Sequence, residues 1–322
     1  MAQDADTIID RRRLRRKVTF WRAAAFIVAA IGVIAVATAG MRGEIGGKGR
    51  DHIAQIRIEG TITEDEELIK RIGEAAASDH VKGVVLTIDS PGGTTVGGEA
   101  IFEAVRKLAE KKPVTAQVGT LAASAGYMIA SATDHIIARQ SSIVGSIGVI
   151  AQIPNVSQLL DNIGVQVDTI KSAPLKAEPS PFNETTDDER AMMRAMILDS
   201  YEWFVGLVTD RRPLSESEVR LLADGSVFTG RQALERKLVD ELGGMDEAKA
   251  WLAQKGVDSG LKVIEWKKPA ESSLGGLPLA VASRLLGLEG GELAAIRALA
   301  GEGLFLDGLL SVWQPVGSIQ EN

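Results

Sequence analysis

Regular patterning begins at residue 53, where IAQIRIEG alternates apolar and polar positions with the two-residue period of a half-buried strand. Thr63-x-x-Glu66 has capping-box spacing and predicts a helix running to about Ser78. VKGVVLTID (81–89) is almost wholly apolar, as in a strand covered on both faces. A helix over about 96–110, the strand PVTAQV and a helix after Ser124 follow. DHIIA and GSIGVIA (134–151) read as short strands, VSQLLDNIG as a helix and VQVDTIK as a strand.

SAPLKAEPSPFNETT (172–186) has three prolines and no period, so it is a long loop, a kind of segment that often carries function. Thr186-x-x-Glu189 opens a helix over 187–211. Its Met192, Met193, Met196, Ile197, Tyr201, Phe204 and Val205 recur at helical spacing, a stripe suited to core or subunit interface. Ser215-x-x-Glu218 and Thr229-x-x-Gln232 cap two further helices, the second ending near Leu238. VDELGGMDEAKAWL supplies a last turn and helix. Strand–helix alternation of this kind defines an α/β domain with mostly parallel pairing.

The flanks differ in character. Residues 1–22 hold seven Lys/Arg and three Asp, net +4, in a chain of 322 residues whose net charge is −7. The other 300 residues therefore carry −11, and a nucleic-acid partner is not indicated. The 19 residues 23–41 contain no charge and would span about 28 Å as a helix. With RRRLRRK before them they predict a transmembrane anchor with a cytoplasmic N-terminus and the rest outside the cytoplasm. A signal peptide cleaved after ATA (37–39) is the rival reading and leaves the main domain on the same side. The domain plan is a basic tail (1–22), the anchor (23–41), a Gly-rich linker (42–51), the main domain (52–266) and an apolar, Gly-punctuated extension (267–322).

No cysteine is present, which excludes disulfide and thiolate chemistry. DSPGGTTVGG (89–98) predicts a tight turn whose glycine amides at a helix start could hold a phosphate or an oxyanion. It matches neither a Walker loop nor G-x-G-x-x-G, and nothing calls for a cofactor or metal. Ser124, in Ala-Ala-Ser-Ala-Gly, is either a helix cap or a nucleophile on a strand-to-helix elbow. A nucleophilic serine needs a base. His52, His80 and His135 all occupy positions that read as solvated or structural. A lysine serves when desolvation brings its pKa from about 10.4 towards 7–8. Lys176, in the aperiodic loop and flanked by apolar residues, is the candidate.

IDSPGG, AASAGY, SSIVGSIGVIAQ, KSAPLK and DGSVFTGRQALERKLVDELGG, in that order over roughly 50–255, resemble the signal peptide peptidase A family, of the Clp-protease and crotonase-like superfamily. The resemblance implies a repeated ββα core and a membrane-anchored serine–lysine endopeptidase. Ser124 would be its nucleophile, Lys176 its base, and the amides of Gly93 and Ala125 its oxyanion donors. It implies unstructured apolar peptides, including signal-peptide remnants, as substrates, and no cofactor. It also implies a ring-shaped homo-oligomer in which serine and lysine come from neighbouring subunits. Three alternatives stay open: a general envelope quality-control peptidase, an acyl-thioester enzyme of the crotonase type, and an inactive membrane scaffold.

Overall fold

Alternation within the apolar strands decides how the domain is layered. In the strand β2 (Val81–Thr94), Val84, Leu86 and Ile88 point into one buried cluster while Val85 points into another. β4 (His135–Ala138) repeats the pattern, with Ile136 and Ala138 on one side and Ile137 on the other. Both faces of the sheet are therefore covered, as expected for parallel strands. The computed structural model describes residues 20–22, 24–28, 48–267 and 310–312.

The described chain falls into two units, residues 1–52 and 53–322. In the first, 20–22 and 24–28 are helical. The rest of the expected anchor, the basic tail before Phe20 and most of the linker lie outside the described residues. No helix among the described residues is long and apolar enough to cross a membrane.

The second unit is a mixed α/β domain whose sheet runs β6-β5-β3-β2-β1-β8. Here β1 is His52–Ile62, β3 Val114–Ala123, β5 Ile143–Gly145, β6 Val227–Thr229 and β8 Val263–Glu265. β7 (Glu241–Leu242) extends the sheet through β4, and β9 (Leu310–Val312) pairs with β2. β2 with β3, β3 with β4 and β5, β1 with β8, and β4 with β7 are parallel; β5 with β6 and β2 with β9 are antiparallel. This mostly parallel architecture fits the Clp and crotonase-like type.

The described helices of this unit are α1 (Glu66–Ala77), α2 (Thr95–Ala109), α3 (Ala125–Ser131), α4 (Ser157–Asn162), α5 (Asp187–Arg211), α6 (Glu216–Leu222), α7 (Gly230–Glu235) and α8 (Met245–Gln254). Capping boxes at Thr186, Ser215 and Thr229 form as their spacing predicts. α1 is capped differently. Asp65, not Thr63, accepts the Leu68 amide at 3.0 Å. The backbone at Ile62–Thr63 is packed so closely on Gly93 and Gly97 that any side chain at either glycine would collide with it. It continues the strand and cannot begin a helix.

Two other expectations change. DSPGGT is no tight turn: β2 continues to Thr94, with a register shift between Ile88 and Ser90 and Gly92 at φ 110°. VQVDTIK (165–171) forms no strand, because no described segment pairs with it, and Val165, Val167 and Ile170 stay exposed. The methionine stripe of α5 is divided as well. Phe204 and Val205 are buried in the core, whereas Met196 is 46% exposed.

Candidate active site

Ser124 lies between β3 and α3 with φ 56° and ψ −120°, and its side chain makes no capping bond. The cap reading therefore fails. Its backbone is held on both sides. Its N–H donates to Gly145 O at 2.8 Å, and its carbonyl accepts from Met128 N at 2.9 Å. A left-handed φ on a non-glycine residue costs of order 1–3 kcal/mol and persists where surrounding structure imposes it. Every residue of α3 is buried. The alanines and glycines around Ser124 make this possible. A side chain at Gly126 would lie 3.0 Å from Ser90 O, and one at Gly98 3.1 Å from the Ala125 Cβ.

The strain is not confined to Ser124. Among the described residues, the other non-glycine residues with positive φ are Ser146 (51°), Ala177 (61°) and Lys237 (58°). Ser146 shares a cavity of about 490 Å³ with Ser124; Val149, Ile197, Leu198 and Tyr201 supply much of its apolar lining. Ser146 N donates to Ser226 O at 2.7 Å, fixing its place across from Ser124. Nothing in the sequence marks Ser146 as functional. Its only signal was the Gly-Ser pair within SSIVGSIGV, and left-handed backbone at serine is invisible in the sequence.

Of the candidate oxyanion donors, Ala125 directly follows Ser124, and Gly93 lies three residues past Ser90 on β2. Ser90 pairs in register with Ala122, placing the end of β2 beside the serine elbow. Ser90 Oγ accepts from Gly92 N at 3.1 Å, and Thr94 Oγ1 accepts from Gly97 N at 3.0 Å. These amides are committed. Gly93, between them, stands in register with Ser311 of β9. Thr95 Oγ1 is the one buried side-chain polar atom without a hydrogen-bond partner among the described residues.

Lys176 is exposed and is not among the residues lining the Ser124 cavity. Its N–H donates to Ala173 O at 3.1 Å, and strained Ala177 follows it. The loop is fastened at its base by an ion pair between Lys171 and Glu178. The Lys171 hydrogen bond holds the Glu178 carboxyl below the usual range, and the Ser180 amide, donating at 2.6 Å, acts the same way.

None of the three histidines lines the Ser124 cavity. His52 is buried with Nδ1 2.7 Å from Arg50 O. His135 stacks on Trp251 and bonds Glu241 at 3.1 Å. His80 is exposed and away from the cavity lining. Among the described residues no cluster could hold a metal ion.

A buried serine on a strained elbow beside an apolar cavity is a position that suits a nucleophile. Comparison with known proteins gives the class. Residues 106–258 match peptidase family S49. A candidate protease of Synechocystis sp. is 38% identical over 232 residues, covering 70% of this chain and 84% of that protein. Protease 4 of Haemophilus influenzae is 35% identical over 206 residues, 61% of this chain and 33% of that protein. A candidate signal peptide peptidase SppA of Enterococcus faecium is 34% identical over 200 residues, 62% of this chain and 57% of that protein. The chain belongs to peptidase family S49. The likeness to relatives named protease 4 and signal peptide peptidase SppA supports a peptidase of that type.

Proposed function

We propose that this protease is a membrane-anchored serine endopeptidase with a Ser124–Lys176 dyad, acting outside the cytoplasm on extended apolar peptides such as signal-peptide remnants. The observation that carries the reading is Ser124 itself: strained, without a capping bond, and opening on an apolar cavity. Ser124 Oγ attacks the peptide carbonyl while its proton passes to the Lys176 amine. The amides of Gly93 and Ala125 receive the oxyanion. Collapse breaks the C–N bond, and Lys176 returns the proton to the leaving amine. A water molecule, deprotonated by Lys176, then releases the acyl group and regenerates Ser124.

The dyad is completed by assembly in this reading. A single chain leaves Lys176 outside the cavity. It also leaves apolar surface uncovered at Ile150, Ile163, Val165, Val167 and Ile170. A ring of identical subunits would bury that surface and bring the loop of one chain to the serine of the next. Anchorage through residues 23–41 rests on their uncharged run behind a basic flank. General clearance of unfolded envelope peptides uses the same chemistry and differs only in substrate.

The test is cleavage of an unstructured apolar peptide by the parent chain, Ser124→Ala and Lys176→Ala, with assembly state measured for all three. Cleavage by the parent alone, with assembly retained, supports the dyad. Equal cleavage by all three refutes it. An assembled parent that never cleaves supports the scaffold alternative.

A further inference from the structure

Among the described residues, the loop that carries Lys176 is closed by one pair of charges. Lys171 precedes residues 172–177, Glu178 follows them, and the two side chains meet in an ion pair. The Glu178 side chain is 2% exposed and that of Lys171 24%. The other Glu178 oxygen accepts the Ser180 amide at 2.6 Å. One residue on, Pro181 O accepts from Val156 N at 2.8 Å, at the start of α4. Glu178 therefore joins the loop to Lys171 on one side and to the segment bound at α4 on the other. Inside the loop the bonds are local: Lys176 N to Ala173 O at 3.1 Å and Glu178 N to Leu175 O at 3.4 Å. Residues 165–171 have no strand partner among the described residues.

We propose that Lys171 and Glu178 are positioning residues for Lys176, a clasp that holds the loop in the conformation presenting the amine to Ser124. The inference rests on the Ser124–Lys176 reading above. Only Ala177, with left-handed φ 61°, stands between Lys176 and Glu178, so a displacement of Glu178 is carried directly to the base. Each loop residue released regains backbone freedom worth about 1–2 kcal/mol. Because the carboxylate is withdrawn from water, loss of Lys171 leaves it buried and without its cation. The loop then relaxes by carrying Glu178 out to solvent, and Lys176 moves with it. Loss of Glu178 releases Lys171 and the Ser180 amide together, with the same result. Misplacing a reacting group by about 1 Å costs on the order of a hundredfold in rate.

The experiment measures cleavage of an unstructured apolar peptide by the full-length chain in detergent. Lys171→Met, Glu178→Gln, their double variant and Lys171→Arg are compared with the parent and Lys176→Ala. Lys171→Met and Glu178→Gln should each lower kcat about ten- to a hundredfold, with KM within about twofold and assembly unchanged by light scattering. The double variant should be no slower than the slower single, because both changes remove one clasp. Lys171→Arg keeps the cation at a side chain with access to solvent, and should bring kcat back to within about threefold of the parent. Unchanged kcat in both singles overturns the proposal. So does a loss carried by KM, a loss that Lys171→Arg shares, losses that multiply in the double variant, or dissociation of the assembly in both singles. If Lys176→Ala cleaves as the parent does, the dyad reading fails and the clasp with it. If Lys176→Ala is inactive while both singles match the parent, the clasp alone fails. A parent that never cleaves removes both readings.

Discussion

Ser124→Ala removes one oxygen from a position whose backbone strain alanine shares equally, so its effect separates chemistry from folding. Peptide cleavage should fall about 10⁴-fold or more. The melting temperature should stay within a few degrees, because one small side chain replaces another. Gly93→Ala gives the opposite result. A Cβ there would lie 1.8 Å from Ile62 O, which is backbone and cannot yield. We expect a loss of more than about 3 kcal/mol in denaturant unfolding, or no soluble protein. Thr95→Val trades a buried hydroxyl without a partner for a methyl group. It should raise stability by about 0.5–1 kcal/mol. Unchanged or lowered stability would show that the hydroxyl has a partner in the folded protein. At this scale the sequence disclosed Ser124 through its run of small neighbours. Ser146 stayed hidden, because its left-handed backbone is imposed from outside by the Ser226 carbonyl.

Elements whose signals are local were readable from the chain. The capping boxes at Thr186, Ser215 and Thr229 fixed three helix starts, and the unbroken apolar run 81–89 marked the central strand. Elements defined by distant partners were not. β6 and β8 have three residues each and exist only because β5 and β1 accept them. VQVDTIK has the composition of a strand but finds no described partner. Tertiary ties of the same long-range kind hold the C-terminal part of the domain. Arg212, 8% exposed, forks onto Asp240 at 3.0 and 2.8 Å and donates to Lys237 O at 2.9 Å. Asp240 also accepts the Ile136 amide at 2.7 Å, tying α5 to β4. Arg212→Met should therefore cost about 2–4 kcal/mol in chemical denaturation, since the Asp240 carboxylate loses its cation and the Lys237 carbonyl its donor. Asp240→Asn in the same background should recover part of that loss.

For the whole molecule, the separation of Lys176 from the Ser124 cavity gives the sharpest prediction. If the dyad forms between subunits, Ser124→Ala and Lys176→Ala chains are each inactive, yet refolding them together in equal amounts restores activity. Random mixing makes roughly a quarter of the junctions competent, so about a quarter of the parent rate is expected. No recovery, with mixed assemblies verified by mass, would place both groups in one subunit. Ile170→Asp, at a side chain 97% exposed, should leave each chain folded but dissociate the assembly, as read by light scattering. The register of β1 with β8 has a different consequence, one of timing. Ile53 is paired with Val263, and Trp266 N donates to Gln55 O at 2.8 Å. The first strand of the domain thus waits for almost the last before its edge can close. A ribosome-bound chain stopped short of residue 263 should remain open to protease. Until that edge closes, the first strand keeps one side open to any other chain that can pair with it.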